Sequence, residues 1–439
     1  MDKGKKSRLE LGFVVLVFLL YFGISCFLPV KEAPDEYMRY VIPEYIYTHH
    51  SLPVGTDPAV IDETWGFSYG FTPYLPSMVA ALLMWIVSLF TQSVQALIVA
   101  SRLVSSFAAA GAVWISFRIG ERLFERTANR WLFSVCIALL PQFVFLAAYL
   151  NNDTVAVFSA MVMFYAWLRG RELHWNYRSC ALLAAGIICC TLTYYNAYGW
   201  ILCSILFYFG SIWQDDGINS KIKHACSHGI WIAVLVIVFA GWFFIRNAIL
   251  YDGDFLGMNT MYACAEQYGY GPYKPSNRVI YANMGFSVMD MFRQTDWLPM
   301  TLESCFARFG YMEIRVPVVY YVLYVLIGTV GAIGVLLRIA KKKIHRADGL
   351  LCVCSFFCVL IPLILSVKYS YTIDFQPQGR YLMSALPAVA FLIARGYQWL
   401  DEEFFKKRGI FSSAVTVIWA VMFTLIFVTV MIPRLCTGI

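Results

Sequence analysis

Charged residues are scarce in this sequence: they make up 14% of its 439 residues, whereas apolar residues make up 60%. So little charge, together with a strongly positive mean hydropathy, is typical of polytopic membrane proteins and excludes a soluble multidomain enzyme. Internal repeats, low-complexity tracts and a linker that would separate a soluble domain are also missing. The sequence therefore predicts an all-α polytopic membrane protein with a single integral membrane domain over residues 1–439.

Metal-ligand spacings are missing as well. The thirteen cysteines lie mostly within apolar runs, and none forms a CxxC pair with a nearby histidine, so free buried thiols are favoured over a metal site. His49 and His50 have no acidic or cysteine neighbours at metal spacing and are expected at the surface. Cys264 and Cys305 fall in one predicted outside loop and could form a disulfide.

The excess of basic residues, a formal net charge of +7, does not indicate nucleic acid as a partner. The Lys and Arg residues occur in short clusters between apolar runs, where they set the orientation of membrane helices. The first run follows "MDKGKKSR" and has no small-residue cleavage site, so it predicts an uncleaved helix with a cytoplasmic amino terminus. We expect a multi-pass protein of the cell (plasma) membrane, in contact with membrane lipid.

Twelve apolar runs lie near the spanning length of about 20 residues. They cover residues 11–30, 74–90, 97–118, 131–150, 154–169, 180–195, 197–213, 228–246, 317–338, 350–367, 383–397 and 411–432. If all of them crossed the membrane, the basic connection that follows the third run would face outside, against the positive charge expected in the cytoplasm.

The run at 74–90 is therefore predicted to be a juxtamembrane or re-entrant helix in the first outside loop. About eleven transmembrane helices remain, and the carboxyl terminus lies outside. With this orientation the two long polar segments, 31–96 and 247–316, face outside and form the predicted active-site face.

The first outside loop opens with two adjacent acids and an arginine, in "APDEYMRY". Pro34 suits the first position of a helix, which would place Asp35 and Arg39 on one face at i and i+4. Acids in a first turn also stabilise a helix through its dipole. For Asp35 and Glu36, a helix start and a functional pair therefore stay equally open.

The second outside turn reads "NND" and ends with Asp153, where one apolar run emerges and the next begins. An aspartate at this position is a good helix N-cap, and capping alone explains it in isolation. Topology adds a second interpretation, because the same membrane face carries both acidic motifs. The sequence thus predicts that Asp153 and the first-loop acids point into one cleft.

A third turn, "KYSYTIDFQPQGRYLMSALP", brings Lys368, Gln378 and Arg380 to that face. Arg380 is the stronger candidate for an anion ligand, because Gly379 indicates a shaped turn and a guanidinium can hold a phosphate through two hydrogen bonds. Arg246 ends another run, where it could equally extend only to lipid headgroups.

The segment 247–316 is aromatic and punctuated by glycine. Such a surface could stack on a pyranose ring, or it could be an interfacial aromatic belt. Tyr268, Tyr270 and Trp297 are the least typical of a belt, so we expect them to contact substrate.

Taken in order, these motifs resemble a known family. "PDE" with "IPEYI", then "YGFTPYLP", "RLVSSFAAAGAVWISFRIGERLF", "NND" and a late "QGRYLMSALP" are similar to the GT-C-fold glycosyltransferases. This group includes the protein mannosyltransferases, the aminoarabinose transferase of lipid A and bacterial relatives of unassigned substrate. The resemblance covers nearly the whole chain, although each motif is short. Unlike the protein mannosyltransferases, the chain has no added soluble domain and lacks their acidic pair, which puts a protein acceptor in doubt.

The resemblance implies transfer of a sugar from a polyprenyl-phosphate donor to a hydroxyl on a glycan, glycolipid or polymer outside the cytoplasm. It implies that Asp35 is the catalytic base, with Glu36 as its neighbour and Asp153 as the second-loop acid. Arg380, then Lys368 and Arg246, are expected to hold the donor phosphate. Further substrate contacts are expected from Arg39, Asn152, Gln378 and Tyr381.

Two questions stay open. A divalent cation, Mg²⁺ or Mn²⁺, could be ligated by the adjacent carboxylates, but no four-ligand set is visible in the sequence. The alternative function is a multi-span transporter or a lipid or glycan flippase without transferase activity. That class would predict inverted repeats or corresponding broken helices, which the sequence does not show.

Overall fold

The computed structural model describes residues 3–405 and 408–436, most of which are helical. Its α-helices are α1 (Lys3–Phe27), α2 (Glu36–His49), α3 (Leu75–Ser88), α4 (Val94–Leu123), α5 (Thr127–Ala138), α6 (Pro141–Leu146), α7 (Asp153–Glu172), α8 (Tyr177–Thr191), α9 (Gly199–Trp213), α10 (Lys221–Leu250), α11 (Met258–Tyr268), α12 (Val288–Gln294), α13 (Trp297–Phe306), α14 (Val318–Ala340), α15 (Arg346–Thr372), α16 (Leu386–Phe404) and α17 (Ile410–Ile426). A π-helical stretch, Phe427–Cys436, follows α17.

Smaller elements lie in the loops between the helices. The strands β1 (Arg308–Phe309) and β2 (Ile314–Arg315) form an antiparallel hairpin between α13 and α14. Two short 3₁₀ segments, Tyr69–Phe71 and Gly379–Ala385, lie in the first loop and in the third turn.

Six helical segments are both long and apolar enough to cross a membrane: α1, α4, α10, α14, α15 and α17 with its π-helical extension. In α10 the most apolar window has a mean hydropathy of 2.3, yet only 17% of it is buried by other parts of the protein. Lipid must cover such a surface. The chain is therefore a multi-pass membrane protein, while the number of eleven spans and the orientation of the termini stay predictions.

Two of the predicted runs differ from long straight helices. The run at 74–90 forms α3, whose 14 residues are shorter than a membrane span. The prediction of one helix over 131–150 was wrong, because α5 ends at Ala138 and α6 begins at Pro141. Proline lacks an N–H and disfavours the helical conformation in the residue before it, and Leu140 is indeed extended.

Helices α4, α5, α7, α14 and α16 surround the main core, which holds fully buried tryptophans at positions 167, 175 and 200. Helices α14 and α16 cross backbone to backbone, because a Cβ atom at Gly334 or Gly396 would overlap the facing helix. Small residues allow this close approach where apolar helices pack in lipid.

The two long polar segments pack against each other beside this bundle. The Nη2 atom of Arg246 donates to the carbonyl oxygens of Leu52 and Pro53, at 3.2 and 2.8 Å. The amide of the next residue, Asn247, donates to the carbonyl of Phe71 at 3.1 Å. The end of α10 therefore holds the first loop in place.

The possible disulfide between Cys264 and Cys305 is absent, since both are free thiols. Cys264 is buried beside Phe71 and Tyr251, whereas the Sγ of Cys305 donates weakly to the carbonyl of Gly379 at 3.8 Å. The two thiols thus belong to different packing environments.

A fully buried ion pair joins the start of α2 to the membrane helices. Arg102, in α4, donates from Nε and Nη2 to the two carboxylate oxygens of Glu36 at 2.7 and 2.6 Å. Its Nη1 also caps the end of α1, by donating to the carbonyls of Ser25 and Leu28 at 2.7 Å each. Glu36 accepts a further bond from the N–H of Leu150 at 3.0 Å, so its carboxylate is fully occupied.

We expect Glu36→Gln to lower the free energy of unfolding by about 3–5 kcal/mol, because it leaves the buried guanidinium of Arg102 without its counter-charge. Thermal unfolding of the purified protein in detergent measures the effect. Glu44→Gln is the matched control, since Glu44 is an exposed acid on the same helix. Equal melting temperatures for the two variants would contradict the structural role of the pair.

Candidate active site

Three separate loops meet at one buried ionic cluster. Asp35 precedes α2, Asp153 is the first residue of α7, and Arg380 lies in the 3₁₀ segment of the third turn. The Nη2 of Arg380 donates to Oδ2 of Asp35. Asp153 is only 4% exposed and lies within electrostatic range of Arg380, Arg39 and Asp35. The structure thus brings together the three charged residues that the sequence placed on one face.

The backbone at Asp35 shows that its side chain does not cap the helix that follows. Asp35 is the N-cap of α2 with φ 60° and ψ 0°, and its side chain makes no capping hydrogen bond. Left-handed backbone is uncommon outside glycine, although aspartate tolerates it better than most residues. The carboxylate turns to Arg380, so a capping hydrogen bond does not account for Asp35. Strained residues of this kind cluster at functional sites.

The charges around Asp35 keep it ionised. Burial alone would raise its pKa, but the guanidinium of Arg380, then that of Arg39 and a hydrogen bond from Tyr69, together hold the pKa below its ordinary value. A carboxylate in this state is a weak base. The basicity of Asp35 would increase if another group bound the guanidinium of Arg380 and weakened its interaction with Asp35.

Arg39 is buried beneath the first loop. Its guanidinium lies 4.1 Å from the centre of the Tyr69 ring, and its backbone N–H donates to the carbonyl of Asp35 at 3.0 Å. The expected i, i+4 relation between Arg39 and Asp35 therefore holds, although α2 begins at Glu36 and Pro34 lies outside it. Sequence reasoning missed Tyr69, because a tyrosine in an aromatic juxtamembrane stretch carries no distinguishing signal.

Asp153 does not cap α7 either. The side chain of Asn151 accepts from the N–H of Thr154 at 3.1 Å and takes that role. The neighbouring Asn152, predicted to contact substrate, donates instead to the carbonyl of Thr193 at 2.8 Å and fixes the turn to the end of α8. Among the residues that the structure describes, Asp153 forms no ion pair, and its charge is offset only at longer range by Arg380 and Arg39.

The turn around Arg380 is shaped by close packing on α13. A Cβ atom at Gly379 would overlap the backbone of α13, and the N–H of Gly379 donates to Oγ of Ser304 at 2.6 Å. The hydroxyl of Tyr381 donates to Gln376, and the guanidinium of Arg380 lies 5.3 Å from the centre of the Tyr381 ring. Glycine is therefore required at position 379. The close packing of this residue on α13 fixes the direction in which Arg380 follows.

Three predicted charged residues lie away from the cluster. Glu36 does not act beside Asp35, because Arg102 and the N–H of Leu150 enclose its carboxylate. Arg246 binds carbonyls of the first loop, and Lys368 is exposed on α15. The signal that could have revealed the role of Glu36 is the arginine within the apolar run of α4, since a charge at such a position needs a partner.

The predicted aromatic contacts are also dispersed. Tyr268 and Tyr270 are more than half exposed on the outer loop, and the N–H of Tyr270 donates to the carbonyl of Thr64 at 3.0 Å. Trp297 is 1% exposed and packs on Phe292, so no face of its indole is open to a sugar. The aromatic residues that interact with the cluster are Tyr69, Tyr149, Tyr194 and Tyr381.

The ligand pair suggested for a divalent cation does not form. Glu36 is bound by Arg102, so the adjacent carboxylates cannot share an ion. Within residues 3–405 and 408–436, no group of three or more His, Cys, Asp or Glu side chains lies close enough to hold a metal.

Comparison with known sequences gives one distant relative. No family model matches the chain. GPI mannosyltransferase 3 from Yarrowia lipolytica is 25% identical over 304 residues, which cover 66% of this chain and 53% of that protein. The chain thus spans about half the length of this curated relative.

Solved structures give a broader likeness. The oligosaccharyltransferase of Archaeoglobus fulgidus in its apo form is similar with a TM-score of 0.57 at 12% identity, over 96% of this chain and 55% of the other. The same enzyme, AglB, in complex with an inhibitory peptide and a dolichol-phosphate gives a TM-score of 0.54 at 13% identity, over 96% and 54%. ArnT from Cupriavidus metallidurans bound to undecaprenyl phosphate gives 0.55 at 12% identity, over 99% and 72%.

These structural similarities cover nearly the whole chain, including the helical bundle and the acidic first loop that the sequence motifs had indicated. The chain has the GT-C fold.

Proposed function

We propose that the protein is a glycosyltransferase that moves a sugar from a polyprenyl-phosphate donor to a hydroxyl acceptor on the extracytoplasmic face. The acceptor is a cell-surface glycan, a glycolipid or a polymer. The observation that carries this proposal is Asp35, which is held in a strained backbone without capping its helix and paired with Arg380 across from Asp153. The complexes of AglB with dolichol-phosphate and of ArnT with undecaprenyl phosphate support a lipid-phosphate donor.

In this reaction Asp35 takes the proton of the acceptor hydroxyl while the hydroxyl oxygen attacks the anomeric carbon. The bond from that carbon to the phosphate oxygen breaks, and the polyprenyl phosphate leaves with the electron pair. The transition state resembles an oxocarbenium ion, and a single displacement inverts the anomeric configuration. Arg380 offsets the negative charge that grows on the departing phosphate.

Arg380 links the two substrates, because it is the partner of the base and the proposed ligand of the leaving group. When a phosphate draws on this guanidinium, its hold on Asp35 weakens and the pKa of Asp35 rises. The carboxylate then becomes a better base. Donor binding therefore prepares Asp35 for the acceptor.

The remaining residues of the cluster have supporting roles in this proposal. Arg39 balances the charges of Asp35 and Asp153, and Tyr69 holds the guanidinium of Arg39 in place. Asp153 is positioned to orient the acceptor or the sugar. If the reaction uses Mg²⁺ or Mn²⁺, Asp35 and Asp153 are the two carboxylates of the ionic cluster that could ligate it.

We expect Asp35→Asn to lower the transfer rate by about 100- to 10,000-fold, because the amide cannot accept the proton of the acceptor. The assay incubates the purified protein with defined polyprenyl-phosphate sugars and follows sugar transfer and slow donor hydrolysis. Asp252→Asn is the matched control, since Asp252 is an exposed aspartate that also has a left-handed backbone, with φ 47°.

Full activity in Asp35→Asn, with Asp153→Asn also unaffected, would remove the proposed site. Lipid movement across reconstituted membranes without any sugar transfer by the wild-type protein would favour the transporter alternative.

We expect Arg380→Gln to raise the KM for the donor and to move the acidic limb of the pH profile upward by about one unit or more. Losing the guanidinium removes the charge that holds the pKa of Asp35 down, so the base is protonated at a higher pH. The measurement is kcat/KM for the donor between pH 3 and 8, a range set around the ordinary aspartate pKa of about 3.9. Arg293→Gln, which changes an exposed arginine of α12, should leave both quantities unchanged. An unshifted acidic limb in Arg380→Gln would contradict the pairing of Asp35 with Arg380 in solution.

A further inference from the structure

Gln376 lies in the third turn and has no role in the reaction described above. Its Nε2 donates to Oδ2 of Asp374 at 2.8 Å, and its Oε1 accepts from the hydroxyl of Tyr381. Tyr381 is in turn next to Arg380, whose Nη2 donates to the hydroxyl oxygen at 3.5 Å. These four side chains form a hydrogen-bond relay that ends at the partner of the proposed base.

The backbone of Gln376 is fixed to helix α15. The hydroxyl of Ser370, which is buried, donates to the carbonyl of Gln376 at 3.2 Å and accepts from its N–H at 3.4 Å. A serine hydroxyl can do both, because it has one proton and two lone pairs. Pro377 follows, and its ring restricts the backbone further. The amide side chain of Gln376 therefore extends from a fixed point.

The hydrogen bonds of the relay run in one direction only. A carboxylate accepts but does not donate, so the NH₂ group of Gln376 must face Asp374, and its carbonyl oxygen must face Tyr381. The single proton of the Tyr381 hydroxyl then points to Gln376. An oxygen lone pair is left for Arg380, which can only donate. Arg278, from the second long loop, lies 3.8 Å from Asp374 and offsets its charge.

The relay contributes to the position of the Arg380 guanidinium. Nη2 carries two protons and donates to both Asp35 and the Tyr381 hydroxyl. The Nε of Arg380 is buried and has no partner among the described residues, so the two acceptors at Nη2 matter for its placement. If the amide of Gln376 were absent or reversed, the Tyr381 proton could turn to Arg380. Two donors would then face each other, and the guanidinium would lose one of these acceptors.

We propose that Gln376 is a positioning residue: it fixes the direction of the Tyr381 hydroxyl, which then holds Arg380 in place beside Asp35. The inference rests on the proposed function and extends it to a residue that acts through its neighbour. A glutamine suits this role, because its amide offers one donor side and one acceptor side and stays uncharged. Asp374 selects the orientation of that amide.

The test is Gln376→His, compared with Gln376→Leu. A neutral imidazole can donate to Asp374 and accept from Tyr381, as the amide does, whereas a protonated imidazole donates on both sides and reverses the Tyr381 hydroxyl. The measurement is kcat/KM for the donor at about pH 8.5 and about pH 5, on either side of the ordinary histidine pKa of about 6.5 and above the aspartate value of about 3.9. Asp374 favours the charged imidazole and Arg278 and Arg380 oppose it, so the two pH values are set well apart.

We expect the rate of Gln376→His relative to wild type to fall at least about tenfold from the higher to the lower pH, because only the neutral ring preserves the relay. Gln376→Leu, which makes neither hydrogen bond, should be at least about tenfold slower than wild type at both pH values.

Tyr381→Phe separates the direction of the hydroxyl from the added charge. A protonated imidazole also brings a positive charge near Arg380, which would act whether or not residue 381 carries a hydroxyl. In the double variant Gln376→His/Tyr381→Phe, compared with Tyr381→Phe alone, we expect the pH-dependent loss to disappear. A loss that persists in the double variant would contradict the role of the hydroxyl.

Gln267→His is the matched control, because it places the same titrating group at an exposed position of α11. Melting temperatures of all variants are measured at both pH values. The two rates of Gln376→His come from one protein, so their ratio decides even if Gln376→Leu is unstable. A constant ratio for Gln376→His, or wild-type rates in Gln376→Leu, would overturn the inference alone. Absence of sugar transfer by the wild-type protein would overturn the proposed function and the inference together.

Discussion

The ion pair between Asp35 and Arg380 is the interaction on which the arrangement of the outer face depends. It joins residues 345 positions apart in the chain. Arg380 is buried and Asp35 is partly buried, with 9% and 28% of their side chains exposed, so each charge is stabilised by the presence of the other. This ion pair therefore holds the first loop and the third turn together. The start of α7 places Asp153 close enough to interact electrostatically with both residues.

Two consecutive acids illustrate how neighbouring residues can receive opposite roles. The change of backbone direction at Asp35 turns its side chain to Arg380, whereas Glu36, one residue later, is already helical and points to Arg102. One carboxylate is paired within a cleft, and the other is enclosed by the membrane helices. Adjacent acids in a sequence therefore do not establish a shared site, because one residue of α-helix rotates a side chain by about 100°.

Much of this structure follows from the sequence. Apolar runs of spanning length located the helices, and the positions of polar segments between them brought Asp35, Asp153 and Arg380 to one face. The helix break before Pro141 could also have been predicted, because proline disfavours the helical conformation in the residue before it. What the pattern could not provide was the partner of each charge. The pairing of Glu36 with Arg102 and the burial of Trp297 arise from contacts between distant segments, on which helical periodicity carries no information.

The capping of α1 by Arg102 has a consequence for where chemistry takes place. By binding the last carbonyls of this apolar helix, Arg102 ties the start of the first loop to a fixed height on the bundle. Asp35 follows Leu28 by only seven residues, so it cannot move far from the end of the helix. A lipid phosphate is confined to the same narrow layer, because its hydrocarbon tail stays in the bilayer while its charge seeks water. If the proposed function holds, the protein meets its donor at a preset depth, and the search for the reactive group of the donor is reduced from three dimensions to two.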